Sequence, residues 1–230
     1  MVAHALLLGG CASTPVPSVP GAVAVRYTTA LPNGSTLKER PTEVMLVERA
    51  DTHKEVGKQI GINLLMLAMG GVGLTADRFS KTDLAGRSID SSGDRANLRN
   101  PVPDEFVARL SERINAAVKA DPALAMRHWG QPVNVAGGFT RLLYDELDGD
   151  TPERLHLAID LTIYKRREDW SPLSFSAPRV QVDCNSKSAT ARAKEDWAPD
   201  DYREVRLEFD ALLDACERKV MAALPDLLKD

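Results

Sequence analysis

Aromatic residues are scarce in this chain: five Phe, four Tyr and three Trp amount to 5% of its 230 residues. A core with so few rings must be aliphatic, and the 43% hydrophobic share is enough for one compact domain to bury. Basic excess is lacking as well. With 29 Lys and Arg against 33 Asp and Glu, the net charge is −4, which gives no means of neutralising a phosphate backbone and excludes nucleic acid as an expected partner. Cysteine is limited to Cys11, Cys184 and Cys216, too few for a disulfide scaffold and without the C-x-x-C spacing of zinc ligands. Ile60 to Ala76, seventeen residues without a charge, falls short of the roughly 20 apolar residues that span a bilayer, and it is broken by Gly61, Asn63, Gly70, Gly71 and Gly73.

Signatures of catalysis are missing in the same way. There is no G-x-S-x-G elbow, no H-E-x-x-H and no P-loop. His53, His128 and His156 fall on separate elements, and no shared metal site is expected of them. The acidic run Asp145, Glu146, Asp148, Gly149, Asp150 suggests a calcium loop, but aligning Asp148-Gly149 with the fifth and sixth EF-hand positions puts Tyr144 at the first ligand position and Leu155 at the bidentate twelfth. A solvated hairpin turn is the expected reading. No catalytic residue, metal ligand or cofactor site is expected from the sequence.

What is present begins at the amino terminus, where Ala5 to Leu8 is apolar, Gly9 and Gly10 are small, and Cys11 follows directly. Leu8-Gly9-Gly10-Cys11 resembles the lipobox of bacterial lipoproteins, in which a leucine three positions before the cysteine and two small residues direct signal-peptide cleavage and acylation of the thiol. It departs from the usual signal peptide in having no Lys or Arg before its short apolar run. The resemblance implies a signal peptide over residues 1–10, acylation at Cys11, and a membrane as partner through the lipid. Pro15, Pro17 and Pro20 then punctuate an uncharged segment to Gly21, a tether of polyproline character over 11–21. Ala12 stands where an aspartate would favour retention in the inner membrane, so the expected address is the periplasmic side of the outer membrane, with the inner membrane as alternative.

In such a compartment Cys184 and Cys216 are the two thiols left after acylation. One ends a strand and the other lies on the inner face of the last helix, so a disulfide between them would staple helix to sheet. Two buried thiols acting as small apolar residues are the other expectation.

Residues 22–230 read as a single domain. AVAVRYTT and Glu43 to Glu48 are strand candidates on either side of the Pro32-Asn33-Gly34-Ser35 turn, an opening hairpin. Residues 75–101 read as a long surface loop. Pro101 and Pro103 precede a helix with Phe106, Val107, Leu110, Ile114, Ala117 and Val118 on one stripe, ended by Asp121-Pro122. Phe139 to Leu147 and Leu155 to Tyr164 form a second hairpin, the latter with strict alternation. Arg179 to Cys184 is a further strand and Ser186 to Lys194 pairs beside it. A last helix runs from Pro199 to Leu224, with Asp200 and Asp201 at its positive end and Pro225 kinking or ending it. This order gives the α+β class, an antiparallel sheet with helices packed on one face.

Between the strands, Asp51 or Thr52 with Glu55 caps a helix that continues to about Met69 and is apolar all round. Either it is a central core helix, or one side bearing Leu65, Met66 and Met69 is covered by a partner or the lipid surface. Two functions follow: a non-catalytic envelope component that binds a protein partner, glycan or lipid, or a tethered hydrolase whose dispersed site is invisible in sequence.

Overall fold

The computed structural model describes residues 19–49, 86–91, 96–145, 152–170 and 180–229. Cys11, the all-apolar segment with Leu65, Met66 and Met69, and His53 lie outside the described residues. So does most of the acidic turn after Asp145.

The chain contributes short strands β1 (Val25–Thr28) and β2 (Val44–Val47), a two-residue β3 (Arg87–Ser88), and the small pair β4 (Asp90–Ser91) and β5 (Ala96–Asn97). The long strands β6 (Val133–Tyr144) and β7 (Leu155–Lys165) follow, and then β8 (Gln181–Asp183) and β9 (Ser186–Lys187). The expected hairpin of β6 and β7 is the backbone of the sheet, paired from Val133 with Lys165 to Tyr144 with Leu155. On the free edge of β6, β1 and β2 lie end to end, and on that of β7, β8 and β9 do the same.

The α+β class holds, but the sheet is mixed rather than antiparallel, because β1 and β2 both run parallel to β6. They are therefore not a hairpin. Pro32 to Ser35 does turn the chain, yet only within a miniature loop where Leu31 N–H donates to the Ser35 carbonyl at 2.8 Å and Leu37 N–H to that of Thr29 at 2.9 Å. The turn chemistry was local and correct; the pairing went to the longer apolar edge of β6, which no local signal reveals.

A bulge explains why that edge is shared by two strands. Gly137 and Gly138 both take left-handed φ, at 80° and 82°, and the register with β7 shifts between Gly137 and Phe139. β1 ends opposite Ala136 and β2 begins opposite Thr140. The carbonyls freed in between are not left bare: Tyr27 donates its hydroxyl to Gly137 O at 2.8 Å, and Asn100 donates its amide to Gly138 O at 2.7 Å.

The expected surface loop is also corrected over residues 86–91 and 96–100. Ile89 and Leu98 are buried in the core, and Leu98 bonds backbone to backbone with both Ile89 and Val44. With two described core residues, nine positions apart, this stretch carries no period to read.

After Pro101, a five-residue π-turn (Val102–Phe106) leads into α1 (Val107–Ala120), which buries Leu110, Ile114 and Val118 as its stripe predicts. Asp121 both stops α1 and caps the short α2 (Pro122–Ala125) by accepting from Ala123 N–H at 2.9 Å. After α3 (Lys194–Trp197), α4 (Pro199–Leu227) closes the fold and buries Val205, Phe209, Leu213, Cys216, Val220 and Leu224. Asp200, Asp201 and Tyr202 are left-handed, with φ of 51°, 56° and 61°, so the two aspartates precede the regular helix rather than sit in its first turn. Pro225 falls late enough that the helix carries on to Leu227.

Both long helices cover the same side of the sheet. Their stripes join Val133, Val135 and Leu142 of β6 and Leu155, Leu157, Ile159, Leu161 and Ile163 of β7 in one cluster. Across it, Cys184 after β8 is bonded to Cys216 on α4, with the Cα atoms 5.3 Å apart. No described helix is long and apolar enough to cross a membrane.

Candidate functional site

Alternation in β7 sends His156 to the sheet face opposite the helices, at the turn end of the β6–β7 hairpin, where β6 ends and β7 begins. Its ring is nearly buried, and three segments meet on it. Nε2 lies 2.8 Å from Oδ1 of Asp145, the residue after β6, and Nδ1 lies 2.9 Å from the carbonyl oxygen of Ser188, the residue after β9. The hydroxyl of Ser188 is 3.4 Å from the same Nδ1. Asp, His and Ser are thus gathered from positions 145, 156 and 188, a constellation that the sequence does not disclose because no motif links them.

The residue types are those of a nucleophilic triad, but the geometry is not. A serine nucleophile needs its hydroxyl exposed and bonded to a ring nitrogen that can take the proton. Here Ser188 is 1% exposed. Its Oγ accepts from Leu157 N–H at 3.1 Å and donates to the Thr190 carbonyl at 3.3 Å. The nearer partner of Nδ1 is a carbonyl oxygen, toward which a ring nitrogen can only donate. With Nδ1 turned to that carbonyl, it is not placed to take a proton from the Ser188 hydroxyl. The cluster ties β7, β9 and the hairpin end together, and Lys187 approaches the same Asp145 oxygen at 3.5 Å.

Further along that face the cross-strand rows are polar. Arg26, Asn134, Tyr164 and Gln181 align across four strands, and Thr28, Ala136, Thr162 and Asp183 form the next row. Asn134 accepts from Arg26 Nε at 3.2 Å, Thr162 donates to Asp183 at 2.8 Å, and Tyr164 donates to the Ala30 carbonyl at 2.9 Å. Burial raises the Tyr164 phenol above its ordinary range, against the pull of Arg166 and Arg26. Burial likewise pushes the Tyr27 phenol up to about 12, with Arg40 opposing. Arg141, stacked 5.3 Å over Phe139, has its charge disfavoured by burial and supported by Asp160.

Of the residues singled out from sequence, Cys184 and Cys216 are brought together as a bond. His128 is exposed on the segment before β6 and does not join His156. Among the described residues no three His, Cys, Asp or Glu side chains converge as metal ligands. The chain matches no protein-family model, no curated protein and no solved structure.

Proposed function

We propose that this protein is a lipid-anchored component of the bacterial envelope, acylated on Cys11, held at the periplasmic side of the outer membrane, and acting by binding or structural support rather than by catalysis. The observation that carries this reading is the Cys184–Cys216 bond, buried between sheet and helix. Disulfides of this structural kind form and persist in oxidising compartments and are rare in the cytosol. The address it supports is the one that the Leu8-Gly9-Gly10-Cys11 pattern calls for.

The hydrolase alternative loses its best candidate, since the Ser188 hydroxyl is buried and engaged. On the sheet face away from the helices, the exposed edge residues Arg26, Gln181 and Asp183 suit a ligand or partner read by hydrogen bonds. The test is fractionation in the native host: wild-type protein sediments with the envelope membranes and Cys11→Ser appears in the soluble periplasmic fraction. Identical fractionation of the two would refute the anchoring.

A further inference from the structure

The anchor enters the domain at a defined place. Gly21 N–H donates to the Arg127 carbonyl at 2.9 Å, and Ala22 N–H to that of Val19 at 3.1 Å. A Cβ on Gly21 would stand 2.6 Å from the Ala125 carbonyl, and its φ is +69°, so only glycine lets the chain lie this close to α2. The first described residues are thereby fixed against the segment 125–127. Eight peptide links separate Cys11 from Val19, and whatever their conformation they reach at most roughly 29 Å.

At this root stand two of the three large apolar side chains that are well exposed among the described residues. Val19 is 66% and Met126 78% exposed; the third, Leu207, is on α4. The backbone bond from Gly21 to Arg127 brings together the two segments that carry the first two. Cations border them: Lys119 is exposed in the last turn of α1, and the Arg127 guanidinium lies 4.5 Å over the Trp129 ring. Between Lys119 and Arg127 the one acid, Asp121, is occupied in capping α2; on the adjoining turn Glu168 accepts from Gly130 and Gln131 N–H and pairs with Lys165, and Arg167 is paired with Asp169. A flexible apolar side chain beside basic groups is the arrangement that enters a headgroup layer while phosphates meet the charges.

We infer that this end of the domain, with Val19 and Met126 at its centre and Lys119 and Arg127 at its rim, is a membrane-contact face that docks on a bilayer containing anionic phospholipid. The inference rests on the anchoring proposed above. Tether length, the place where the tether enters, apolar exposure and charge all select the same surface, and the adaptable Met126 suits a fluid partner.

Cys11 is the one thiol outside the disulfide, so the full chain can be joined through it to a maleimide-bearing lipid in vesicles of phosphatidylethanolamine and phosphatidylglycerol, whether or not the host acylates it. Benzoylphenylalanine in place of Met126, Val19 or Leu207 then reports contact as photo-adducts to lipid. Adducts at positions 126 and 19 and none at 207 are expected. Lys119→Gln should lower the ratio of docked to undocked protein, read as adduct yield at 126, about fivefold. No lipid adduct at 126 and 19, equal yields at all three positions, or a yield unmoved by Lys119→Gln would overturn the membrane face. The acyl mass of Cys11 from the host tests the anchoring separately, so the two failures are told apart.

Discussion

Nε2 of His156 stands 2.8 Å from Oδ1 of Asp145 while Nδ1 of the same ring faces the Ser188 carbonyl at 2.9 Å, so the imidazole is held from both sides. A histidine so placed joins three chain segments, and its Nδ1 is turned to a carbonyl rather than to the Ser188 hydroxyl. A fluorophosphonate probe for active serines should therefore leave the native protein unlabelled at Ser188. Labelling there would contradict the structural role of the cluster.

Ser188→Ala makes the complementary prediction. It removes the acceptor of the buried Leu157 N–H, and an orphaned buried donor costs about 1–3 kcal/mol. Chemical denaturation should show a loss in that range with an unchanged m-value. A loss near zero would mean that the hydroxyl contact is dispensable.

The bond between Cys184 and Cys216 spans 32 positions. A loop of that length constrains the unfolded chain by about 3–4 kcal/mol in the chain-entropy account. Cys184→Ser with Cys216→Ser should lower unfolding free energy by about that amount, and the wild type unfolded without reductant should expose no free thiol at positions 184 and 216. Reactive thiols at both positions would show that the bond does not form.

Much of this fold was legible in the sequence, and what was not has physical reasons. The alternation in Leu155 to Ile163 and the stripes of α1 and α4 are periodic over three turns or more, long enough to be read. The parallel docking of β1 and β2 rests on Gly137 and Gly138, whose left-handed φ divides the edge of β6 in two, and nothing local tells a bulge from a flexible pair of glycines. Asp145, His156 and Ser188 were illegible for the same kind of reason, since they meet only through the β6–β7 and β7–β9 registers. The disulfide was one of two expectations: the end of a strand and the inner face of a helix were visible, and the oxidising compartment implied by Leu8-Gly9-Gly10-Cys11 stood behind the bond against two buried thiols.

Alkaline titration probes the two buried phenols. Burial raises Tyr27 to about 12 and Tyr164 above its usual range, whereas the unfolded chain ionises near 10. The unfolded state thus gives up these protons first, and stability falls as pH rises from about 10 through 12. Phenolate absorbance should show late-ionising tyrosines, and Tyr27→Phe should delete one of them. Ionisation of all four tyrosines together near pH 10 in the folded protein would contradict the burial.

Trp197 is fully buried, donates Nε1–H to the Leu155 carbonyl at 3.1 Å and stacks under Arg192, which pairs with Glu204 and Glu208 of α4. Trp197→Ala should cost about 3–5 kcal/mol, measured as a shift in the denaturation midpoint. A cost below about 1 kcal/mol would show that this corner is not part of the core.

The most direct measurement of the central claim is the intact mass of the amino-terminal peptide of the protein purified from membranes of its native host. The account predicts a peptide that starts at Cys11, lacks residues 1–10 and carries the added mass of acyl chains on that cysteine. A peptide that retains residues before Cys11, or begins there with an unmodified thiol, would contradict it.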